Sequence, residues 1–147
     1  MTKIALASDH GGFILKEKIK DYLLLNNYDV IDFGTNSLES CNYATFALKA
    51  AEAVANSEAN LGILVCTTGE GVCIAANKVK GIRCGIGYND EVSRLIKEHN
   101  NANMIAFGAK YMSQEDVLKR VDIFLNTSFS SGRHQIRVDT INDFENK

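Results

Sequence analysis

Short apolar runs alternate along the chain with longer amphipathic stretches. Lys3–Ala7, Tyr28–Asp32, Leu61–Cys66, Arg83–Gly87 and Asn103–Phe107 are each short, apolar and bounded by turn residues. Near-continuous hydrophobicity of this length suits strands covered on both faces of a parallel sheet, where polar–apolar alternation is lost. The stretches between them carry helical patterns. Phe13, Ile14, Leu15, Ile19, Tyr22 and Leu23 recur at helical spacing, with lysines and acids opposite. Tyr43–Asn56 is alanine-rich, and Val72–Lys78, Asp90–His99 and Ser113–Leu125 also read as helices. Ser113, ahead of Glu115 and Asp116, predicts an N-cap with acids in the first turn. The tail from Ser130 to Lys147 carries a last helical pattern through Ile136, Ile141 and Phe144.

Five β segments alternating with helices predict a three-layer α/β/α, Rossmann-like fold. The expected sheet has five parallel strands in flavodoxin-like order, joined by right-handed crossovers and followed by a C-terminal helical tail. No linker, repeat or low-complexity segment interrupts the chain, so residues 1–147 are expected to form one domain. Open sheets of this kind bind ligands at the carboxyl ends of their strands, beside the point where strand order reverses. Flavodoxin-like order puts that crevice between the first and third strands. The loops meeting there are Ser8-Asp9-His10-Gly11-Gly12 and Cys66–Gly71, the two most chemically loaded turns of the sequence.

Composition narrows the partners. The hydrophobic fraction is 46% and the charged fraction 23%, ordinary for a globular protein. A net charge of −2 offers no electrostatic footprint for nucleic acid or an anionic membrane surface, so an anion site must be local. No apolar run approaches the ~18 residues that span a bilayer. The first residues meet Asp9 and His10 too soon for a signal peptide. Cys41, Cys66, Cys73 and Cys84 form no C-x-x-C pair, which predicts reduced thiols in a cytoplasmic protein and no zinc site.

In the turn Cys66-Thr67-Thr68-Gly69-Glu70-Gly71, the glycines allow close backbone approach to a ligand. The helix expected from Val72 presents free N–H groups suited to a phosphate or the oxyanion of a reacting carbonyl. A cysteine at the strand end faces the same positive helix terminus, a setting that favours a reactive thiolate. Equally, Cys66 can be a buried cysteine that merely ends a strand. The turn fails the dinucleotide fingerprint, because Ile74 stands where a third glycine is needed. No G-x-x-x-x-G-K-[ST] occurs either, and nicotinamide and triphosphate cofactors are not expected.

Asp9 beside His10 can serve ring hydroxyls and a phosphate, or act as an N-cap with a surface histidine. His99 closes a helix, where it can simply complement the dipole. Arg133 and Arg137 lie four apart, on one helical face, with His134 as a further donor. That fork suits the oxygens of a phosphate monoester, or forms a solvated basic face. Cys41, Cys73 and Cys84 have no acid, base or glycine loop beside them in sequence and receive no role.

Together these motifs place a resemblance. Ser8-Asp9-His10-Gly11-Gly12-Phe13, Gly34-Thr35, Cys66-x-Thr68-Gly69-x-Gly71, Ile74–Lys78, Gly81-Ile82-Arg83, His99-Asn100-x-x-Asn103 and Gly132-Arg133-His134-x-x-Arg137 resemble the type B ribose-5-phosphate isomerases. The related galactose-6-phosphate isomerase subunits share the superfamily. The match runs from about Lys3 to Ile141. It implies a metal-free, cofactor-free aldose–ketose isomerase acting through an enediolate. On that basis Cys66 is the base between C2 and C1, and Thr68 bonds the substrate oxygens. Backbone N–H groups of Gly69 to Gly71 hold the developing charge, with Thr67 and Glu70 of the same turn binding substrate. His99, assisted by Asp9, opens the furanose ring. His10, Arg133, His134 and Arg137 grip the phosphate, and Tyr43 and Asn100 line the sugar. The resemblance also implies a homodimer or homotetramer with the site at a subunit interface.

Five positions depart from that pattern. Asn42-Tyr43-Ala44 replaces Asp-Tyr-Pro, which should loosen the loop. Lys110 stands for an arginine, Glu70 is atypical within the turn, and Val72 occupies the place of the glutamate base of cysteine-lacking relatives. Two alternatives accompany this expectation: an isomerase for allose or galactose 6-phosphate, and a non-catalytic flavodoxin-like regulatory module. The second would want several acids after the first strand, where only Asp9 stands.

Overall fold

The computed structural model describes Met1–Lys147. Its elements are β1 (Lys3–Ser8), a 3-10 turn at His10–Gly12, α1 (Phe13–Leu25), β2 (Asp29–Asp32), α2 (Tyr43–Ala55), β3 (Leu61–Cys66), α3 (Glu70–Ala76), β4 (Cys84–Ile86), α4 (Asp90–Glu98), β5 (Met104–Gly108), α5 (Gln114–Leu125) and α6 (Arg133–Glu145). All strand pairs are parallel, and α6 is the expected helical tail. No helix is long and apolar enough to cross a membrane.

The strand order is β2-β1-β3-β5-β4. It matches the flavodoxin-like expectation over β2-β1-β3 but exchanges the last two strands, so that β5 lies inside and β4 at the edge. Burial accounts for the exchange. An interior strand needs apolar cover on both faces, and every residue of β5 (Met-Ile-Ala-Phe-Gly) is buried. The three residues of β4, one of them glycine, are only half-buried, as suits a short edge strand.

Helices divide between the two faces. Right-handed crossovers put a helix on one face when the chain steps one way along the sheet and on the other when it steps back. On one face, Ala47, Ala50, Ala51 and Ala53 of α2 and Val72 and Ala76 of α3 pack against Ala5, Ala7, Leu64 and Ala106. The alanines let α2 approach the sheet closely. On the other face, Leu15, Ile19 and Leu23 of α1 and Val117, Val121 and Phe124 of α5 pack against Ile4, Leu6, Ile63, Val65 and Phe107. Thus α1 leaves the end of β1 toward one face while α3 leaves β3 toward the other, and a gap remains above their carboxyl ends.

One side chain breaks the expected amphipathic pattern. Lys16, assigned by charge to the solvent face of α1, is fully buried. Its Nζ donates to both carboxylate oxygens of Asp32 at 2.8 and 2.7 Å. The two clusters packed against the sheet faces are apolar. Phe124, fully buried on α5, anchors one helix layer; Phe124→Ala is expected to cost about 3–5 kcal/mol. Urea denaturation measures this, while the secondary-structure signal at 25 °C stays unchanged.

Candidate active site

Parallel register sets the floor of the crevice. Ser8 is level with Val65, and Cys66 with Gly108, so the ends of β1, β3 and β5 open side by side. The loops leaving them are tied together. Asp9 N–H donates to Val65 O at 3.2 Å, Ala109 N–H to Cys66 O at 2.9 Å, and Lys110 N–H to Thr67 O at 3.1 Å. Cys66 therefore occupies the centre of the upper edge.

The Cys66 sulfur is buried and accepts the Gly69 N–H at 3.1 Å. Thr68 Oγ1 accepts the Glu70 N–H at 3.1 Å. The helix expected from Val72 begins at Glu70, with Gly69 as its N-cap at φ +83°. Only glycine fits there, because a Cβ would lie 3.0 Å from the Phe107 carbonyl carbon. The early start gives the anion cradle different donors from those expected. Gly69 and Glu70 spend their N–H groups on Cys66 and Thr68, and Val72 is fully buried, which leaves the Gly71 amide of the first turn for a ligand. Glu70 is exposed at the positive end of α3, where its charge is favourable.

The Asp9 loop closes on this turn. Asp9 is buried, and its Oδ1 accepts the Gly12 N–H at 3.0 Å, the N-cap role that its sequence allowed. A Cβ on Gly11 would collide with Thr67 Oγ1, at 2.3 Å, so the two loops touch. His10 Nδ1 accepts the Cys41 N–H at 3.2 Å. A nitrogen that accepts carries no proton, so neutral His10 holds its proton on Nε2 and presents a donor there. The Tyr43 ring lies over Gly71, where a Cβ would stand 2.6 Å from the ring. Ala44 offers an N–H that proline lacks, and Asn42 Oδ1 accepts it at 3.0 Å as the N-cap of α2. The loosening expected from the absent proline is offset by this cap. Lys110 is exposed at the same edge.

His99, Asn100, Arg133, His134 and Arg137 gather at the other end of the sheet. His99 is the C-cap of α4, which runs back from the carboxyl edge and leads through Asn101–Asn103 into the first residue of β5. At about 3.3 Å per residue, the four steps from Met104 to Gly108 alone separate the two ends by roughly 13 Å. The His99 and His134 rings stack with centroids 4.2 Å apart. Burial, then the neighbouring His99, Arg133 and Arg137, hold the His134 imidazole below its ordinary value, which favours its neutral form. Arg133 and Arg137 are exposed on one face of α6, and Arg137 Nη1 donates to Arg133 O at 2.6 Å. The tail is pinned by Arg83 Nη1 to Asn142 Oδ1 at 3.3 Å and by the Gly81 N–H to Glu145 Oε1 at 2.8 Å. The expected partnership of His99 with Asp9 is thus not made within one chain, nor is that of His10 with the arginines. The physical reason is that α4 is antiparallel to the strands.

Two further side chains bear on the crevice. Cys41, given no role from its sequence neighbours, sets the His10 tautomer across a separation invisible to local patterns. Asp32 Oδ1 accepts the Gly34 N–H at 2.9 Å; Gly34 O accepts the Ser8 N–H and Ser8 O the Thr35 N–H, each at 2.8 Å. The Lys16–Asp32 pair therefore braces the residue before Asp9. The available signal was the placing of Lys16 three residues before Ile19 and seven before Leu23, on the apolar face.

A Rossmann-like sheet with a thiol, a glycine-capped anion cradle and a carboxylate–imidazole loop at its carboxyl edge defines an α/β scaffold for a small anionic substrate. Comparison with known proteins agrees. The family model described as Ribose/Galactose Isomerase matches residues 4–141, and the chain belongs to that family. The chain is 42% identical over 147 residues to ribose-5-phosphate isomerase B of Escherichia coli, covering 100% of this chain and 99% of that one. A solved ribose-5-phosphate isomerase B from Clostridium thermocellum superposes with a TM-score of 0.97 at 46% identity, over 99% of this chain and 98% of the other. That of Mycoplasma genitalium, solved with bound ribulose-5-phosphate, gives 0.95 at 38% identity, over 99% and 97% of the two chains.

Burial pushes the Asp32 carboxyl up, but hydrogen bonds from Lys16, the Gly34 N–H and Lys20 outweigh it and hold the group below the usual carboxylate range. A depressed carboxyl stabilises the fold at pH values above its unfolded value, near 4, and loses that contribution as pH falls through the folded value. Lys16→Met, which leaves Asp32 without its buried partner, is expected to destabilise the protein by about 3 kcal/mol at pH 7. Its stability should also fall less steeply than wild type on acidification below about pH 4, as denaturant midpoints measured across pH will report.

Proposed function

We propose that this chain is an aldose–ketose isomerase that interconverts ribose 5-phosphate and ribulose 5-phosphate, with Cys66 as the base. The observation that carries the proposal is the Cys66 sulfur at the centre of the crevice, within 3.1 Å of the Gly69 N–H. It is supported by the likeness to a protein solved with ribulose-5-phosphate. A sugar phosphate needs a proton-transfer group at one end and a dianion grip at the other. The two ends of this sheet carry one each.

The reaction requires movement of a proton between adjacent carbons. As thiolate, Cys66 takes the C2 proton of the open-chain aldose and returns it to C1. The electrons meanwhile spread over the two oxygens as an enediolate. The Gly71 amide faces that developing charge, and the Thr68 hydroxyl moves a proton between the oxygens. Tyr43, lying over Gly71, borders the sugar, with Thr67, Glu70 and Asp9 around it. The His10 Nε2–H adds a hydrogen-bond donor, and the Lys110 ammonium a positive charge, at the same rim.

Ring opening and the phosphate grip fall to the opposite end, and so to a second copy. His99 takes the proton of the anomeric hydroxyl as the ring oxygen gains one. Asn100 lies beside it, and Arg133, His134 and Arg137 hold the phosphate by charge-assisted hydrogen bonds. A two-fold interface, where each chain offers one end to its partner, makes two such sites per dimer. The working form is therefore a homodimer or a pair of dimers. Its substrate is charged and does not cross bilayers unaided, which supports a cytoplasmic setting for the reaction.

Loss of the base in Cys66→Ala is expected to lower kcat by roughly a thousandfold, the usual worth of a positioned general base. The fold should persist by circular dichroism, and near-normal turnover of ribose 5-phosphate would refute the assignment. The shared site has its own test. Cys66→Ala and His99→Asn chains, each inactive alone, are unfolded and refolded together. Random pairing makes half the dimers mixed, each with one intact site of two, so about a quarter of wild-type activity should return. No recovery would place the whole site within one chain.

A further inference from the structure

The mechanism uses one of the four cysteines, and Cys41 acts through its backbone. Two remain, and the fold brings them together from positions eleven apart in sequence. Cys73 lies on α3, one turn past the anion cradle, and Cys84 opens β4. The Cys73 Sγ sits 3.3 Å from the Cys84 carbonyl oxygen. Asn77 clamps the junction: its Nδ2 donates to Cys84 O at 2.9 Å and reaches Cys73 Sγ at 3.6 Å, and its Oδ1 accepts the Cys84 N–H at 2.8 Å. Cys73 also lines an open cleft of about 680 Å³ with Thr68, Glu70, Ile86 and Tyr88. One sulfur of the pair is thus reachable from solvent.

We propose that Cys73 and Cys84 are a redox-active dithiol that closes reversibly to a disulfide in the presence of a hydroperoxide, with Cys73 as the attacking sulfur. The two thiols are unequal. Hydrogen bonding with Cys84 holds the Cys73 thiol below the ordinary thiol value, while hydrogen bonding with Cys73, then burial, pushes Cys84 well above it. Nucleophilic attack on a peroxide needs a thiolate and access; Cys73 lines the cleft, and its thiol ionises more readily than that of Cys84. It attacks one peroxide oxygen and the O–O bond breaks. One oxygen stays on sulfur as a sulfenic acid, and the other leaves as hydroxide and becomes water with the Cys73 proton. The Cys84 sulfur then attacks the sulfenic sulfur, an S–S bond forms, the S–O bond breaks, and the hydroxyl leaves with the Cys84 proton as a second water. Two thiols lose two electrons, and one peroxide is reduced to two waters. The bridge would tether the helix that carries the Gly69 cap to the edge strand, and a dithiol reductant reverses it.

Trypsin makes the test direct. Cleavage after Lys49, Lys78, Arg83 and Arg94 leaves Cys73 on residues 50–78 and Cys84 on residues 84–94. The first peptide also holds Cys66, so Cys66→Ser protein is used, and isomerase activity plays no part in the readout. After exposure to hydrogen peroxide and alkylation of free thiols, the expected product is the two peptides joined by a disulfide. It should be lost with dithiothreitol, while Cys41 stays alkylated. In the Cys66→Ser/Cys84→Ser protein, a sulfenic acid at Cys73 should be trapped by dimedone. The proposal is overturned if both cysteines remain alkylated after peroxide. It is overturned equally if Cys73 goes on to sulfinic acid beside a free Cys84 thiol.

Discussion

The pairing of β3 between β1 and β5 is the constraint from which the crevice follows. Its register sets the ends of the three strands level, with Cys66 between Ser8 and Gly108. Because α1 and α3 leave toward opposite faces, no helix covers that edge, and the three loops can only cross-link one another. Their backbone bonds hold the thiol, the anion cradle and the Asp9 loop as one rigid unit. A displaced register would turn each side chain of β3 to the other face and remove the sulfur from the crevice altogether.

That same geometry separates the residues that the proposed reaction needs. Strands run one way and crossover helices run back, so whatever ends α4 lies at the foot of the sheet. His99, stacked on His134 beside the arginines of α6, is therefore far from the thiol that its chemistry would serve. The arginines of α6 stand at one end of the molecule and the Cys66 thiol at the other, and the proposed two-fold pair of chains would bring them together. The acidic net charge of the chain does not conflict with a phosphate ligand, since the cations are local.

Buried polar groups sort into braces and chemistry. Lys16 is fully buried yet touches no substrate surface; it holds Asp32, which holds Gly34, which pairs with Ser8 just ahead of Asp9. Cys41 acts through a backbone N–H, orienting His10 by deciding which ring nitrogen keeps the proton. Cys73 Sγ meets the Cys84 carbonyl across the joint between α3 and the edge strand. None of these roles is a property of the residue type alone.

The sequence by itself determined the elements. Five apolar runs became five parallel strands, Ser113 became the N-cap of α5, and the chemically loaded turns were recognisable as turns. These features are local, set by hydrophobic period, capping and glycine conformations within a few residues. Tertiary structure alone decided the exchange of β4 and β5, because the interior slot goes to the strand with more apolar surface to cover. It alone decided that α3 starts at Glu70, since Gly69 is held against the Phe107–Gly108 backbone. The burial of Lys16 against Asp32, the Cys41 contact to His10 and the meeting of Cys73 with Cys84 are likewise contacts between distant segments. The separation of His99 from Cys66 has the same origin: motifs give residue types and spacing, but only the direction of each helix says at which end of the sheet a residue stands.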